Sequence, residues 1–442
     1  MRYFYLLTFL VLLSACSQKQ QQISEQTSKM TKKQPENIEE LKIIPQEPSF
    51  YAKNLSDEYI SDIETFVEHY FKPWQIDTIS IDQDKATWAY TYDNNTSYTY
   101  TLQPIKQNFF KEIKENSNME QFATINEKAL TLKLLNVRAI PTDKPIFLDP
   151  SIAGEGYPFD YLQNTTLAPN KPILISHYSK DKEWVFIECS FGFGWVKTKD
   201  IVFIKPAYTQ LWQKAQQVFF LKDAQPIYDE NGNYLFDSRL GMVLPLIDED
   251  DETYTVLSVS KSKENTPLYL RSKISKNIAH KGIIRFNTKN VVQLIEELKK
   301  GKYGWGGIYG QRDCSSTLRD FYTPFGFWLP RNSSVQSSVG DVLMLEQFSN
   351  EQKIEQIREK ATPFKTFVYK KGHIALYVGN YNNQPIIFQN VWGVKTKKDG
   401  VEGRFLIARP IFSTLEVGKN LKEFDPDASM LSQMKSINTI VK

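Results

Sequence analysis

The sequence predicts a multidomain α+β protein: a helical N-terminal region, two small β-barrels and a C-terminal α+β domain. Three observations carry this expectation. The 442 residues suffice for two to four domains. The 23 tyrosines and 28 phenylalanines favour β-rich modules over a helical bundle. The hydrophobic pattern also changes along the chain, from helical spacing to short strand-like runs and then to a mixture of the two. With 41% hydrophobic and 24% charged residues, the composition is that of an ordinary globular protein. A formal charge of +3 gives no concentrated basic face, so nucleic acid is not an expected partner. Three cysteines and four histidines are too few for a disulfide framework or an obvious metal site, and no metal or other cofactor is expected.

The chain opens "MRYFYLLTFLVLLSACSQ". Arg2 precedes an apolar run over residues 3–13, which suits a signal-peptide core and is too short to span a bilayer. The run ends in Leu13-Ser14-Ala15-Cys16, which resembles a bacterial lipobox, so residues 1–16 are expected to be a lipoprotein signal with Cys16 as the lipidated residue. A plain secretory signal cleaved nearby is the alternative. Ser17, rather than Asp, after the cysteine favours the outer over the inner membrane. Residues 17–44 are rich in Gln, Lys, Ser and Glu and cannot bury enough surface to fold. They read as a tether of about 25 residues, with a reach on the order of 25–30 Å.

Residues 45–128 carry helical signals. In "LSDEYISDIETFVEHYFKPW", Ser56 or Asp57 is a candidate N-cap, Ile60, Ile63, Phe66, Val67, Tyr70 and Phe71 form an apolar stripe, and Pro73 ends it. A second helix is expected around 105–134. Residues 129–206 break into short aromatic and β-branched runs separated by turn residues, with alternation along Trp184-Val185-Phe186-Ile187-Glu188-Cys189. Their order, "NVRAIPT", "PILISH", "EWVFIE", "GWVKTKDI", resembles a bacterial SH3-like domain. Residues 207–284 repeat the character, with a hairpin signal at Asn231-Gly232 and an acidic turn at 248–252, and read as a second SH3-like barrel. His69, His177 and Cys189 are expected to be structural, and His280 lies near the exit of the second barrel. An oxidising compartment permits a Cys189–Cys314 disulfide, although both contexts have better explanations.

Residues 285–442 carry the chemistry. "TKNVVQLIEELKKGK" has the spacing of a helix ending at Gly301. "GKYGWGGIYGQRDCSS" follows, in which glycines and aromatics lead to Cys314 at the start of a helical pattern with Leu318, Phe321, Tyr322 and Phe325 on its buried face. Asp313 is placed as its cap. A helix N-terminus favours the thiolate, and the N–H of Cys314 is a candidate oxyanion donor. The glycines let backbone and substrate approach closely. His373, in "KGHIALYVGNY", opens a strand 59 residues after Cys314, a separation that suits a helix packed against a sheet, and is the candidate base. Gln389, alone among apolar neighbours in "PIIFQNVWG", requires a partner that His373 would supply.

The set "YGWGG", "DCSS", "GFWLPRNSSVQ" and "GHIALYVG", in that order, resembles the NlpC/p60 cell-wall peptidases, papain-like cysteine enzymes of bacteria. The match covers about 285–415. The upstream layout resembles one subgroup, with a helical stabilising region and two SH3-like domains, and "GEGYPFDYLQNTTL" at 154–167 looks like that subgroup's insertion in the first SH3-like domain. The resemblance implies that Cys314 is the nucleophile and His373 the base, that Gln389 stands where the family most often has His, and that Tyr303 contributes to the oxyanion site. It implies substrate contacts from Asp313, Ser315, Ser333 and Arg331, and from Glu155 and Tyr157 of the first SH3-like domain. It further implies a cysteine endopeptidase acting on peptidoglycan stem peptides or muropeptides, at the bond from γ-D-glutamate to a diamino acid, with preference for a free N-terminal L-Ala. Such an enzyme would work as a lipid-anchored monomer in the bacterial envelope, facing the periplasm. Two alternatives stay open: a weakly catalytic wall-binding scaffold, and an amidase or acyltransferase using the same thiol.

Overall fold

The computed structural model describes residues 38–441, so Cys16 and the tether up to residue 37 lie outside the described residues. From Glu40 onward the chain packs as one unit. Two short helices, α1 (Glu40–Ile43) and α2 (Pro48–Ala52), lead to α3 (Ile63–Gln75). Its cap is Asp62, whose carboxylate accepts from Thr65 N at 2.7 Å, rather than Ser56 or Asp57. Asp57 instead binds Arg285 at 2.7 Å. Pro73 lies inside α3, in the last turn, and the helix runs on to Gln75. Near a C-terminus a proline removes only one backbone bond, and burial of Phe71 and Trp74 outweighs that loss.

The helix expected at 105–134 is shorter. Beyond α4 (Gln83–Ala86) and a 3₁₀ turn at Trp88–Thr91, the expected range forms only α5 (Phe109–Asn116) and a 3₁₀ turn at Met119–Gln121 as helix. Glu127–Thr131 is instead a strand, β1, pairing with β4 (Pro172–Tyr178) and β7 (Ile201–Phe203). Ala129 and Leu130 are fully buried there, a case of tertiary pairing overriding local propensity. The first barrel adds β2 (Leu135–Arg138), β3 (Gln163–Leu167), β5 (Trp184–Cys189) and β6 (Gly192–Lys197), in the order β3-β2-β6-β5-β4-β1-β7. All six residues of β5 are buried. Val185, Ile187 and Cys189 face the barrel core, while Trp184 and Phe186 meet Ala86, Met119 and Phe122 from the N-terminal region. That region is therefore the second layer over this sheet.

The second barrel follows α6 (Pro206–Lys214). It pairs β8 (Gln217–Phe220), β11 (Val243–Glu249), β12 (Thr253–Lys261), β13 (Pro267–Ser275) and β14 (Ala279–Lys281) in the order β13-β12-β11-β8-β14. The Asn231-Gly232 turn joins β9 (Pro226–Tyr228) to β10 (Tyr234–Asp237). Asp229 holds it by accepting from Asn231 N and Asn233 N. In the acidic turn, Asp250 accepts from Glu252 N and Thr253 N. Phe66, Tyr70, Phe71 and Trp74 of α3 pack against Val218, Phe219 and Phe220 of this barrel.

The C-terminal region places α7 (Thr288–Lys299), α8 (Cys314–Tyr322), the short α9 (Ser333–Gln336) and α10 (Asn350–Lys360) with a six-stranded antiparallel sheet. Its order is β15 (Asp341–Met344), β20 (Met434–Thr439), β16 (Thr366–Lys370), β17 (His373–Tyr381), β18 (Gln384–Lys398), β19 (Val401–Ser413). α8 packs on β17 and β18, with Leu318, Phe321 and Tyr322 sharing a core with Ile374, Leu376 and Phe388. All nine residues of α8 are buried, the polar ones included.

Candidate active site

The N-terminus of α8 is built by a reciprocal cap. Asp313 Oδ1 accepts from Ser316 N at 2.9 Å, and Ser316 Oγ accepts from Asp313 N at 2.9 Å. Ser316 is thus an integral part of the turn that presents Cys314. As the first helical residue, Cys314 has an N–H with no acceptor within the helix. The N–H groups of Ile374 and Ser315 point at its sulfur, which brings the thiol to the start of β17, one residue from His373.

The expected acidification of this thiol does not occur. Burial, with the adjacent Asp313 carboxylate as the second cause, pushes Cys314 up to about 12. Burial also pulls His373 down to about 4. At neutral pH the resting pair is therefore thiol and neutral imidazole. No hydrogen bond joins the two in this structure. His373 Nε2 lies 2.7 Å from Gln389 Oε1. An amide oxygen only accepts, so Nε2 carries the hydrogen and Nδ1 keeps its lone pair. The amide is itself oriented: Gln389 Nε2 donates to Ser413 Oγ at 2.7 Å, and Ser413 Oγ donates to Thr414 O at 2.9 Å. Since that hydroxyl spends its proton on Thr414, it must accept from the amide NH₂, which fixes which end of Gln389 faces His373.

A cleft of about 330 Å³ opens beside His373, Gln389 and Tyr303, with Phe159, Trp305 and Trp392 among its walls. Tyr303 is held by its N–H to Ala408 O at 2.9 Å. Burial, Cys314 and Asp313 raise its phenol well above the ordinary value, so it remains a hydrogen-bond donor. Asp313, besides capping α8, receives Arg331 through Nη2 at 2.5 Å and Nη1 at 3.2 Å, and Gly306 N at 3.1 Å. Arg331 also donates to Ser315 Oγ at 2.8 Å and to Thr165 Oγ1 of the first barrel at 2.7 Å. Asp313, Ser315 and Arg331 thus form one hydrogen-bonded cluster beside Cys314.

The remaining expected site residues are dispersed. Ser333 opens α9, half-buried. Glu155 accepts from Tyr161 OH at 2.7 Å and acts electrostatically on Arg404. Tyr157 is 62% exposed and pairs with Tyr309 instead of lining the cleft. Among the described residues, no group of three or more His, Cys, Asp or Glu could hold a metal ion.

The glycine loop has another purpose than substrate approach. Gly306 and Gly307 have φ of +59° and +85°, and a Cβ on either would lie 2.4 Å from Gln163 O or Thr166 Oγ1 of β3. They let the loop press on the first barrel. Trp305 Nε1 donates to Asp160 O at 3.0 Å across the same contact.

Sequence-family models match four stretches: an NlpC/P60 stabilising domain over residues 5–122, an SH3 domain of SH3b1 type over 145–197, an SH3 domain of SH3b2 type over 207–251, and the NlpC/P60 family over 300–397. An NlpC/P60 endopeptidase from Photobacterium damselae subsp. piscicida is similar in structure, with 25% identity and a TM-score of 0.75, covering 90% of this chain and 97% of that one. Residues 300–397 are thus an NlpC/P60 domain, carried behind a stabilising region and two SH3-like domains. An NlpC/P60 family protein from Bacillus cereus ATCC 10987 is 15% identical with a TM-score of 0.48, covering 71% of this chain and 100% of that one. No curated protein matches the chain. NlpC/P60 proteins are generally cysteine peptidases acting on peptidoglycan, which implies a bacterial envelope or extracellular location. No helix among the described residues is long and apolar enough to cross a membrane.

Sequence reasoning missed three contributors around this NlpC/P60 site. Ser413 orients Gln389 from 24 residues away, Thr165 holds Arg331 from another domain, and Arg404 stands in the cleft wall. Each acts through long-range contacts, and none is marked by a local motif.

Proposed function

We propose that this protein is a cysteine endopeptidase that cleaves peptidoglycan stem peptides between γ-D-glutamate and the diamino acid, with preference for a free N-terminal L-Ala. The observation that carries the reading is the chain His373–Gln389–Ser413–Thr414, which leaves the His373 Nδ1 lone pair free to act as a base. In this reading Nδ1 takes the proton from Cys314 as the sulfur attacks the scissile carbonyl. The Cys314 N–H and the Tyr303 hydroxyl receive the oxyanion. The imidazolium then protonates the leaving amine, and water hydrolyses the thioester. Because the resting pair is neutral, the thiolate forms only when substrate is present. Gln389 positions the ring and bears no charge of its own. Asp313, Ser315, Arg331 and Ser333 would hold the peptide on the acyl side, and Glu155 and Tyr157 would close it from the first barrel only after leaving Tyr161 and Tyr309. Lipidation at Cys16 would anchor the monomer to the outer or inner membrane by way of the tether.

Incubation with L-Ala-γ-D-Glu-diaminopimelate tests the activity. Release of L-Ala-γ-D-Glu by the native chain, abolished in Cys314→Ala, is the expected result. No dipeptide from the native chain would overturn the proposal, and recovery of an intact stem peptide from muropeptides would identify an amidase instead. Fractionation of cells carrying Cys16→Ser tests the anchor: the protein should move from the membrane to the soluble fraction.

A further inference from the structure

The cleft beside His373 has a charge bias that the proposed chemistry does not use. Among its described lining residues are four cationic side chains, Lys370, Lys371, Lys395 and Arg404, against a single carboxylate, Asp425. Lys395 is paired with Glu402 and, at 3.9 Å, with Asp425. Lys370 donates to Ala428 O at 2.7 Å. Among the described residues Arg404 has no ion pair, although the Glu402 and Glu155 carboxylates act on it electrostatically. Its one hydrogen bond is a long contact of 3.4 Å from Nη2 to Ala153 O, and its Nε is buried with no partner. A guanidinium carries five donors, and withdrawing them from water without acceptors is costly. Gly154 leaves room for it: a Cβ there would lie 2.2 Å from Nη2. The positive field is felt locally, since burial first, then Arg404 and Lys395, lower Lys370 to about 8.

We propose that Arg404, flanked by Lys370 and Lys395, is a subsite for a carboxylate of the stem peptide and so determines which peptides are accepted. This rests on the peptidase reading above. A planar carboxylate would satisfy the spare donors of Arg404 with charge-assisted hydrogen bonds. The stem peptide offers two sources beside the reacting bond: the α-carboxylate of D-glutamate, and the second carboxylate that diaminopimelate has and lysine lacks. Amidation of the first, or exchange of diaminopimelate for lysine, would leave Arg404 unpaired.

Binding to the full-length Cys314→Ala protein, followed by calorimetry, separates the cases. Three peptides suffice: L-Ala-γ-D-Glu-diaminopimelate, the same peptide with the glutamate α-carboxyl amidated, and the same peptide with L-Lys replacing diaminopimelate. One of the two altered peptides should bind about 10–100-fold more weakly, which identifies the source, and adding Arg404→Gln should collapse the difference. Equal binding of all three peptides, or no binding of any, overturns the subsite, and neither result depends on the Arg404 variant folding. Turnover by the native chain keeps the two readings apart. Cleavage of all three at equal rates removes the subsite and leaves the peptidase, whereas cleavage of none removes the peptidase reading.

Discussion

The two barrels are alike in size and strand content, yet they meet the surroundings of the nucleophile with different chemistry. On the cleft side the first borders the loops flanking the nucleophile's helix through neutral groups: Thr165 accepts from Arg331, the Asp160 carbonyl accepts from Trp305, and the backbone of Gln163 lies against Gly306. The second grips the far side through buried charge. Arg312 forks onto Asp223 at 2.6 and 2.8 Å and reaches Asp320 at 2.7 Å, while Asp320 also receives Arg319 and Arg239. Arg239 ties back to Gly310 O at 2.7 Å. The difference separates two tasks. A neutral interface at the cleft can be reshaped around a substrate, whereas a buried ionic network fixes position and tolerates little change.

The sharpest way to break this contrast is Asp320→Asn, which removes the anion shared by Arg312, Arg319 and Arg239. It should cost about 3–5 kcal/mol, read by thermal or denaturant unfolding. A loss below about 1 kcal/mol would mean that the network does not hold the helix. Next comes pH. Burial lowers His177 to about 4 from its ordinary 6.5 in the first barrel, where it bonds Ser176 and Ser117. A group held neutral in the fold, but protonated when unfolded below about 6.5, contributes stability above that pH and loses it as pH falls toward 4. Burial lowers His373 in the same sense. The second barrel has only the exposed His280. Hydrogen exchange between pH 7 and 4 should therefore show the first barrel opening before the second, and simultaneous opening would contradict the assignment.

A smaller effect is expected for Gly307→Ala, which places a Cβ against Thr166 at a φ of +85° and should cost about 1–3 kcal/mol. Activity should fall further than stability, because the strain acts between the loop before Cys314 and the first barrel. Thr165→Val is the mildest. It removes one acceptor from Arg331 and should cost about 1 kcal/mol, with peptide affinity as its readout. An unchanged affinity would take the first barrel out of substrate binding.

The contrast also explains what could be read from the sequence. The α7 helix follows from its own spacing, and the Asn231-Gly232 turn from its own backbone preferences. Cys314, His373 and Gln389 stood out because each breaks a local pattern. What escaped was settled between distant segments. Glu127–Thr131 became a strand because Pro172–Tyr178 and Ile201–Phe203 flank it. The Cys314 thiol is raised because burial outweighs the helix terminus, and no window of residues around 314 shows how deeply the surrounding core encloses it. The glycines before Cys314 suggested a substrate path, and only the position of β3 reveals that they meet a neighbouring domain.

With all nine residues buried, α8 has no solvent-facing side along which to fray. Its amides can exchange only when a surrounding element comes away, so their protection measures packing against the sheet and the barrels and not the intrinsic stability of a nine-residue helix. A chain whose upstream domains have not folded lacks Thr165 and Asp223, the partners of Arg331 and Arg312 beside the nucleophile.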